Sequence, residues 1–242
     1  MKTLNVISQR RVFTLALALG CLAAAGTRPV SAAYLSFNLN ADSSAGRVAY
    51  AGGATPLVGK DLGVLSVKGL DTKLNPNGLL ALSHGSVDFS TGIFSAAVPT
   101  SATGSTPPEY RFGSGGNMTV SGGIPSLGIP DGSALLTGQF SEASFLRPLA
   151  GTDLKVTGGA FFNVVNDKLA AYFGLPAGAT AYVGGISTMF AAPAGANGSF
   201  TSSGYASGLV TTTPVPEPTT LVLFGVLSAG GIVWSRRGRP VA

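Results

Sequence analysis

From Tyr34 onward the chain alternates. Leu35, Phe37, Leu39 and Ala41 occupy one set of positions while Ser36, Asn38, Asn40 and Asp42 occupy the other. A period of two puts each set on its own face of an extended chain, so the pattern predicts a half-buried β-strand. Similar short β-prone runs recur over 62–67, 79–89, 93–98, 110–112, 118–120, 134–145, 154–165, 182–190 and 200–210. Turn chemistry separates them: Asn75-Pro76-Asn77-Gly78, Gly113-Ser114-Gly115-Gly116-Asn117 and Pro130-Asp131-Gly132. Many short strands divided by turns point to an all-β domain built as an antiparallel sandwich or barrel. Of the two, a jelly-roll or immunoglobulin-like β-sandwich is expected. One helical segment interrupts the pattern, Asp167 to Phe173, with Asn166 placed to cap its start and Gly174 to end it. At two turns it depends on the body of the domain for its stability.

Two apolar blocks without period-two alternation stand at the ends. The first, Val12 to Gly26, follows Lys2, Arg10 and Arg11 and leads into small residues around Ala32. A basic start, an apolar middle and a small-residue cleavage region make residues 1–33 a secretory signal peptide, expected to be helical and removed by signal peptidase after Ala32 or Ala33. Ala23-Ala24-Ala25 is a competing cleavage site. Arg10-Arg11 also resembles a twin-arginine export signal, although Gln9 and Thr14 depart from its flanks. Ala18-Leu19-Gly20-Cys21 resembles a lipoprotein box with Ala18 in the place of the preferred leucine.

At the other end the chain reads Thr213-Pro214-Val215-Pro216-Glu217-Pro218-Thr219-Thr220, then an apolar run from Leu221 to Trp234, then Ser235-Arg236-Arg237-Gly238-Arg239. Alternate prolines keep 211–218 extended and prevent a helix from running back into the domain. From Thr219 to Trp234 a helix would measure about 24 Å at ~1.5 Å per residue, marginal for a ~30 Å hydrocarbon core. Trp234 would sit at the interface, and Arg236, Arg237 and Arg239 would hold the end in the cytoplasm. This gives a membrane anchor at 219–235 and a basic tail at 236–242.

Val215-Pro216-Glu217-Pro218, the apolar run and the terminal arginines together resemble the PEP-CTERM sorting signal of Gram-negative and related bacteria. The resemblance implies a processing partner, an exosortase, which is an integral inner-membrane enzyme of the cysteine transpeptidase type. It also implies a precursor exported through the inner membrane and anchored there, then delivered to the cell surface or the extracellular space. Many bacteria with this system make exopolysaccharide, which becomes a further expected partner.

The ends change how the composition is read. Seven of the fifteen basic residues lie in them, leaving eight in residues 34–210 against nine carboxylates, so the high pI belongs to targeting and no basic patch for nucleic acid remains. The only cysteine, Cys21, and the only tryptophan, Trp234, also lie in the ends. An exported domain spanning 34–210 therefore has neither a disulfide nor a thiol.

Candidate chemistry in that domain is sparse. His84, the only histidine, stands in Ser83-His84-Gly85-Ser86-Val87-Asp88. A catalytic triad needs a base reaching a nucleophile and a carboxylate orienting the base, usually from separate segments, so a polar strand edge is the expectation here. Asn38 to Asp42 has some of the oxygen spacing of a calcium loop but lacks its glycine and terminal glutamate. Neither a metal site nor a cofactor is expected. The sequence points to a non-enzymatic surface or matrix protein with a structural or adhesive role. Two alternatives stand beside it. One is an exopolysaccharide-binding module using Tyr110, Tyr172, Tyr182 or Tyr205 along one face; the other is a glycoside hydrolase with two of the scattered carboxylates meeting across a cleft.

Overall fold

The computed structural model describes residues 33–40, 46–99, 108–141, 144–148, 153–175, 182–192, 198–202 and 207–215. Nearly all of the signal segment and the whole 219–235 anchor lie outside them. Among the described residues no helix is long and apolar enough to cross a membrane.

Twelve strands follow the chain: β1 (Tyr34–Leu39), β2 (Arg47–Tyr50), β3 (Pro56–Leu70), β4 (Leu79–Val98), β5 (Glu109–Phe112), β6 (Gly115–Gly123), β7 (Ala134–Phe140), β8 (Ser144–Pro148), β9 (Asp153–Val165), β10 (Tyr182–Ala191), β11 (Phe200–Thr201) and β12 (Ser207–Pro214). A 3₁₀ turn spans Pro125–Leu127, and one helix, α1, spans Asp167–Phe173. Eight strands in the order β3-β1-β12-β10-β9-β7-β6-β4 form an antiparallel ring that β3 closes by pairing with β4. The expected sandwich is therefore replaced by a closed barrel. An inward-facing alternation reads the same whether the opposite wall is a second sheet or the far side of one coiled sheet, and the β3–β4 ladder decides between them.

Three strands longer than the usual 3–10 residues, β3, β4 and β9, carry the barrel through two tiers. Residues 83–90 of β4 pair with β6, and residues 94–98 pair with β5. Likewise β9 pairs with β7 through 160–165 and with β8 through 154–157. The wall between β4 and β9 is thus made of two strand pairs set end to end, β6–β7 and β5–β8. On the other flank, β1 pairs with residues 64–70 of β3, while β2 pairs with residues 57–60.

Bulges let such long strands bend. Along β3 the buried positions run Leu57, Gly59, then Leu62, Val64, then Val67, Gly69, and each phase slip coincides with a register shift. The extra residues at the slips point outward: Asp61, at φ 52°, and Leu65, which is exposed. In β4 the slip falls between Ser83 and Ser86, around His84 at φ 48°. One added residue shifts the inward set and increases local twist, which is what closing a sheet requires.

The barrel is filled rather than hollow. Phe37, Phe112, Phe140, Phe162 and Phe190 are fully buried among Leu35, Leu57, Leu62 and Met118. Its outer face carries Lys60, Ser66, Lys68, Thr157, Ser187 and Thr211, all exposed or half-exposed. At one end Tyr50 centres an aromatic group, with its ring 5.3 Å from Phe112 and 5.9 Å from Phe94. The other end is closed by α1. Asn166 Oδ1 accepts the Lys168 and Leu169 N–H groups, and Gly174 ends the helix in the left-handed region, as its sequence predicts. Leu169 and Phe173 are buried. The Phe173 ring lies over Gly69 of β3 in the space a Cβ would occupy, so only glycine fits there. The Leu74 N–H donates to the Phe173 carbonyl at 3.1 Å, and Asn75 Nδ2 donates to the Tyr172 carbonyl at 2.8 Å.

Candidate sorting junction

The last strand sets where the barrel stops. β12 lies between β1 and β10, with Leu35 and Gly184 opposite Thr212, Val183 opposite Thr213, and Tyr182 opposite Pro214. A Cβ on Gly184 would collide with the Thr211 carbonyl, so the close approach of β10 to β12 depends on that glycine. Val210 and Thr212 point into the core. The domain boundary expected at 210 falls inside this strand, which continues four residues further to Pro214. Proline lacks the N–H that would extend the ladder, and the next residue, Val215, is already 36% exposed. Tyr34, the first residue of β1, leaves the barrel at the same rim, because β1 and β12 are antiparallel neighbours. α1 and the 3₁₀ turn lie at this rim too, joined where Lys168 Nζ donates to the Gly128 carbonyl at 2.6 Å.

His84 finds its partner from a distant turn. Its Nδ1 lies 2.9 Å from Asp131 Oδ2, and Asp131 Oδ1 accepts the Ser83 hydroxyl. The carboxylate is thus bound by both the imidazole and the hydroxyl, so the imidazole is not placed to take a proton from serine, which is the relation a triad requires. The cluster is solvated, with the His84 side chain 83% exposed. The hydrogen bond from Ser83 holds the Asp131 carboxyl below the usual carboxylate range; adjacent His84 adds to this and partial desolvation opposes it. A group depressed in this way contributes its stabilisation above the ordinary carboxylate pKa and loses it as pH falls through its own lower value. Carboxyl-carbon NMR is therefore expected to give Asp131 a midpoint below that of an unperturbed aspartate, and Ser83→Ala should move that midpoint upward.

Ser86 pairs instead with Ser121 at 3.0 Å, and Asp88 Oδ1 accepts the N–H of Asp61 at the β3 bulge, at 2.8 Å. The Asp88 carboxylate is thus taken up by the β3 bulge, whose donor would otherwise be unpaired. Among the described candidates, Tyr110, Tyr172 and Tyr182 do not line one sheet face. Tyr182 is buried at the α1 rim, where burial, aided by the negative charge of Asp167, raises its phenol above the ordinary value. Tyr172 packs edge-on against Phe173 at that rim, while Tyr110 joins the Tyr50 group at the other end. Tyr205 lies outside the described residues. Among the described residues no group of three or more His, Cys, Asp or Glu side chains could hold a metal ion.

Comparison with protein families gives a match at the junction itself. The family model for the PEP-CTERM protein-sorting motif matches residues 214–237. The chain carries a PEP-CTERM sorting motif. The match takes in Val215, Pro216, Glu217, Pro218, Trp234, Arg236 and Arg237; Arg239 falls just beyond it. No curated protein matches the chain, and no solved structure matches it.

The PEP-CTERM motif implies export, a membrane-anchored C-terminal sorting signal, an exosortase-type processing partner and delivery to the surface. Of its residues only Pro214 and Val215 are described; 216–242 lie outside. The motif begins at the residue where β12 ends, so folded barrel passes into sorting signal without a spacer. Sequence reasoning missed this continuity because Thr211-Thr212-Thr213-Pro214 reads as linker. It missed Asp131 as well, because nothing local ties a Pro-Asp-Gly turn to a histidine 47 residues earlier.

Proposed function

We propose that this protein is a non-enzymatic surface or matrix component. It is exported behind a signal peptide, held at the inner membrane by its tail, and released or transferred when an exosortase acts at Val215–Pro218. The observation that carries the reading is the seam between barrel and motif. Processing beyond Pro214 leaves every strand of the barrel in place, so the delivered unit is the whole folded domain. A filled barrel suits a structural or adhesive role, since it is stabilised by its packed interior and needs no disulfide.

The test uses the two residues confined to the ends. Protein released from cells should have an intact mass fitting a start at Ala33 or Tyr34 and an end within 215–218. It should contain neither cysteine nor tryptophan and show no indole emission. Released protein that retains Trp234 fluorescence would refute processing at the motif.

A further inference from the structure

Nine large hydrophobic side chains are exposed among the described residues, and five of them, Leu74, Leu79, Val164, Val183 and Val215, belong to one rim. Leu74 is in the turn from β3 to β4, and Leu79 opens β4. Val164 is next to the end of β9, Val183 next to the start of β10, and Val215 directly follows β12. They are between 36% and 62% exposed. A single exposed aliphatic residue is ordinary on any protein surface. Here five of them surround the rim that both chain ends leave, on the paired strands β1 and β12.

Chain length brings this rim close to lipid. Five residues, Pro216 to Thr220, separate Val215 from the apolar run that starts at Leu221. Fully extended, that stretch spans about 20 Å at ~3.3–3.6 Å per residue, and any folding of it draws the barrel closer. On the N-terminal side, seven residues separate Gly26, the end of the other apolar block, from Tyr34.

We propose that this rim is a docking surface for the lipid bilayer, against which the barrel stands with its Tyr50 end pointing away. The proposal rests on the anchored precursor described above. Contact is made by aliphatic side chains entering the interfacial layer, where their apolar area leaves water. Charge has little part in it: Lys68, Lys73 and Lys168 at this rim are offset by Asp71, Asp131 and Asp167, so an anionic surface gains no advantage. Docking is accordingly insensitive to salt. It also fixes the orientation in which the motif emerges, with Val215 at the membrane surface beside an integral-membrane processing enzyme.

The test uses the full chain with Cys21→Ser, reconstituted in vesicles of phosphatidylethanolamine and phosphatidylglycerol that carry a lipid-borne nitroxide quencher. A fluorophore is attached through Leu79→Cys or Val183→Cys at the docking rim, or through Ile93→Cys towards the opposite end. Both rim probes should be quenched several-fold more than the Ile93 probe, at low and high salt alike. Adding Leu74→Ser and Val164→Thr should abolish that difference while leaving the quenching of Trp234, which reports the tail, unchanged. Equal quenching at both ends with Trp234 still quenched would overturn docking and leave the anchor intact. Rim quenching that survives the polar substitutions would overturn it too, since the tether alone would then explain the proximity. An unquenched Trp234 would refute the anchored precursor and docking together. Self-association abolished by the same substitutions, without lipid quenching of the rim, would assign this surface to a second copy of the chain instead.

Discussion

A chain spanning residues 34–210 is expected not to fold, whereas one spanning 34–215 is expected to unfold in a single cooperative urea transition. The five added residues are few, but four of them complete the strand that joins β1 to β10. Without them Leu35 and Ser36 on one side, and Tyr182 to Gly185 on the other, lose the residues opposite them. Two rows of backbone donors and acceptors are left open at the rim, and inward-facing Thr212 is removed from the core. A domain of this size is stable by only about 5–15 kcal/mol, and the loss of closure acts on the whole ring rather than on one edge. Near-ultraviolet circular dichroism of the two chains would decide the matter. Equal urea midpoints would mean that residues 211–214 serve as linker and that the barrel closes without them.

The second large effect is expected at the plug. Phe173→Ala should lower stability by about 3–5 kcal/mol, the usual cost of deleting a buried phenylalanine side chain. The ring is fully buried and packs on Gly69, whose missing side chain makes the hollow it fills. On the β3 side no neighbour can grow into the space that is left, because the residue there is glycine. Phe173→Leu should recover a good part of the loss. A urea midpoint unchanged in Phe173→Ala would show α1 to be an appendage instead of the lid of the barrel.

Local signals in the sequence proved dependable where the physics is local. The alternation at Leu35, Phe37 and Leu39 placed those residues inside, and Asn166 and Gly174 bounded α1 as their capping chemistry requires. Strand extent was less legible. Residues 79–89 and 93–98 read as two strands broken at Ser90-Thr91-Gly92, yet they form the single strand β4, and the phase slip it does contain falls at His84 within the first run. The opposite error affected 134–145 and 200–210, each of which is two strands: β7 and β8 pair with separate stretches of β9, and β11 pairs with β2 while β12 pairs with β1 and β10. The strand β2 went unrecognised, although Val48 and Tyr50 alternate inward along it. Closure was hidden for a different reason: it depends on which strands pair across the barrel, and β3 with β4 could equally have formed an open hairpin. The sorting signal was legible because its parts, prolines, apolar run and arginines, are contiguous. The cluster at Asp131 was not, because folding brings its members together from separate turns.

The position of β12 also determines how the barrel carries load. Before processing, a tension between the membrane tail and anything gripping the distal end is directed along β12 rather than across it. Its ladders to β1 and β10 are then loaded in shear, with every rung on both sides sharing the force, so none can be peeled open in turn. A strand at the edge of an open sheet would present one such ladder; a ring leaves no edge to begin from. The chain therefore leaves the molecule through one of its mechanically best-supported strands, a suitable place to attach a domain that must stay folded while its anchor is being pulled or exchanged.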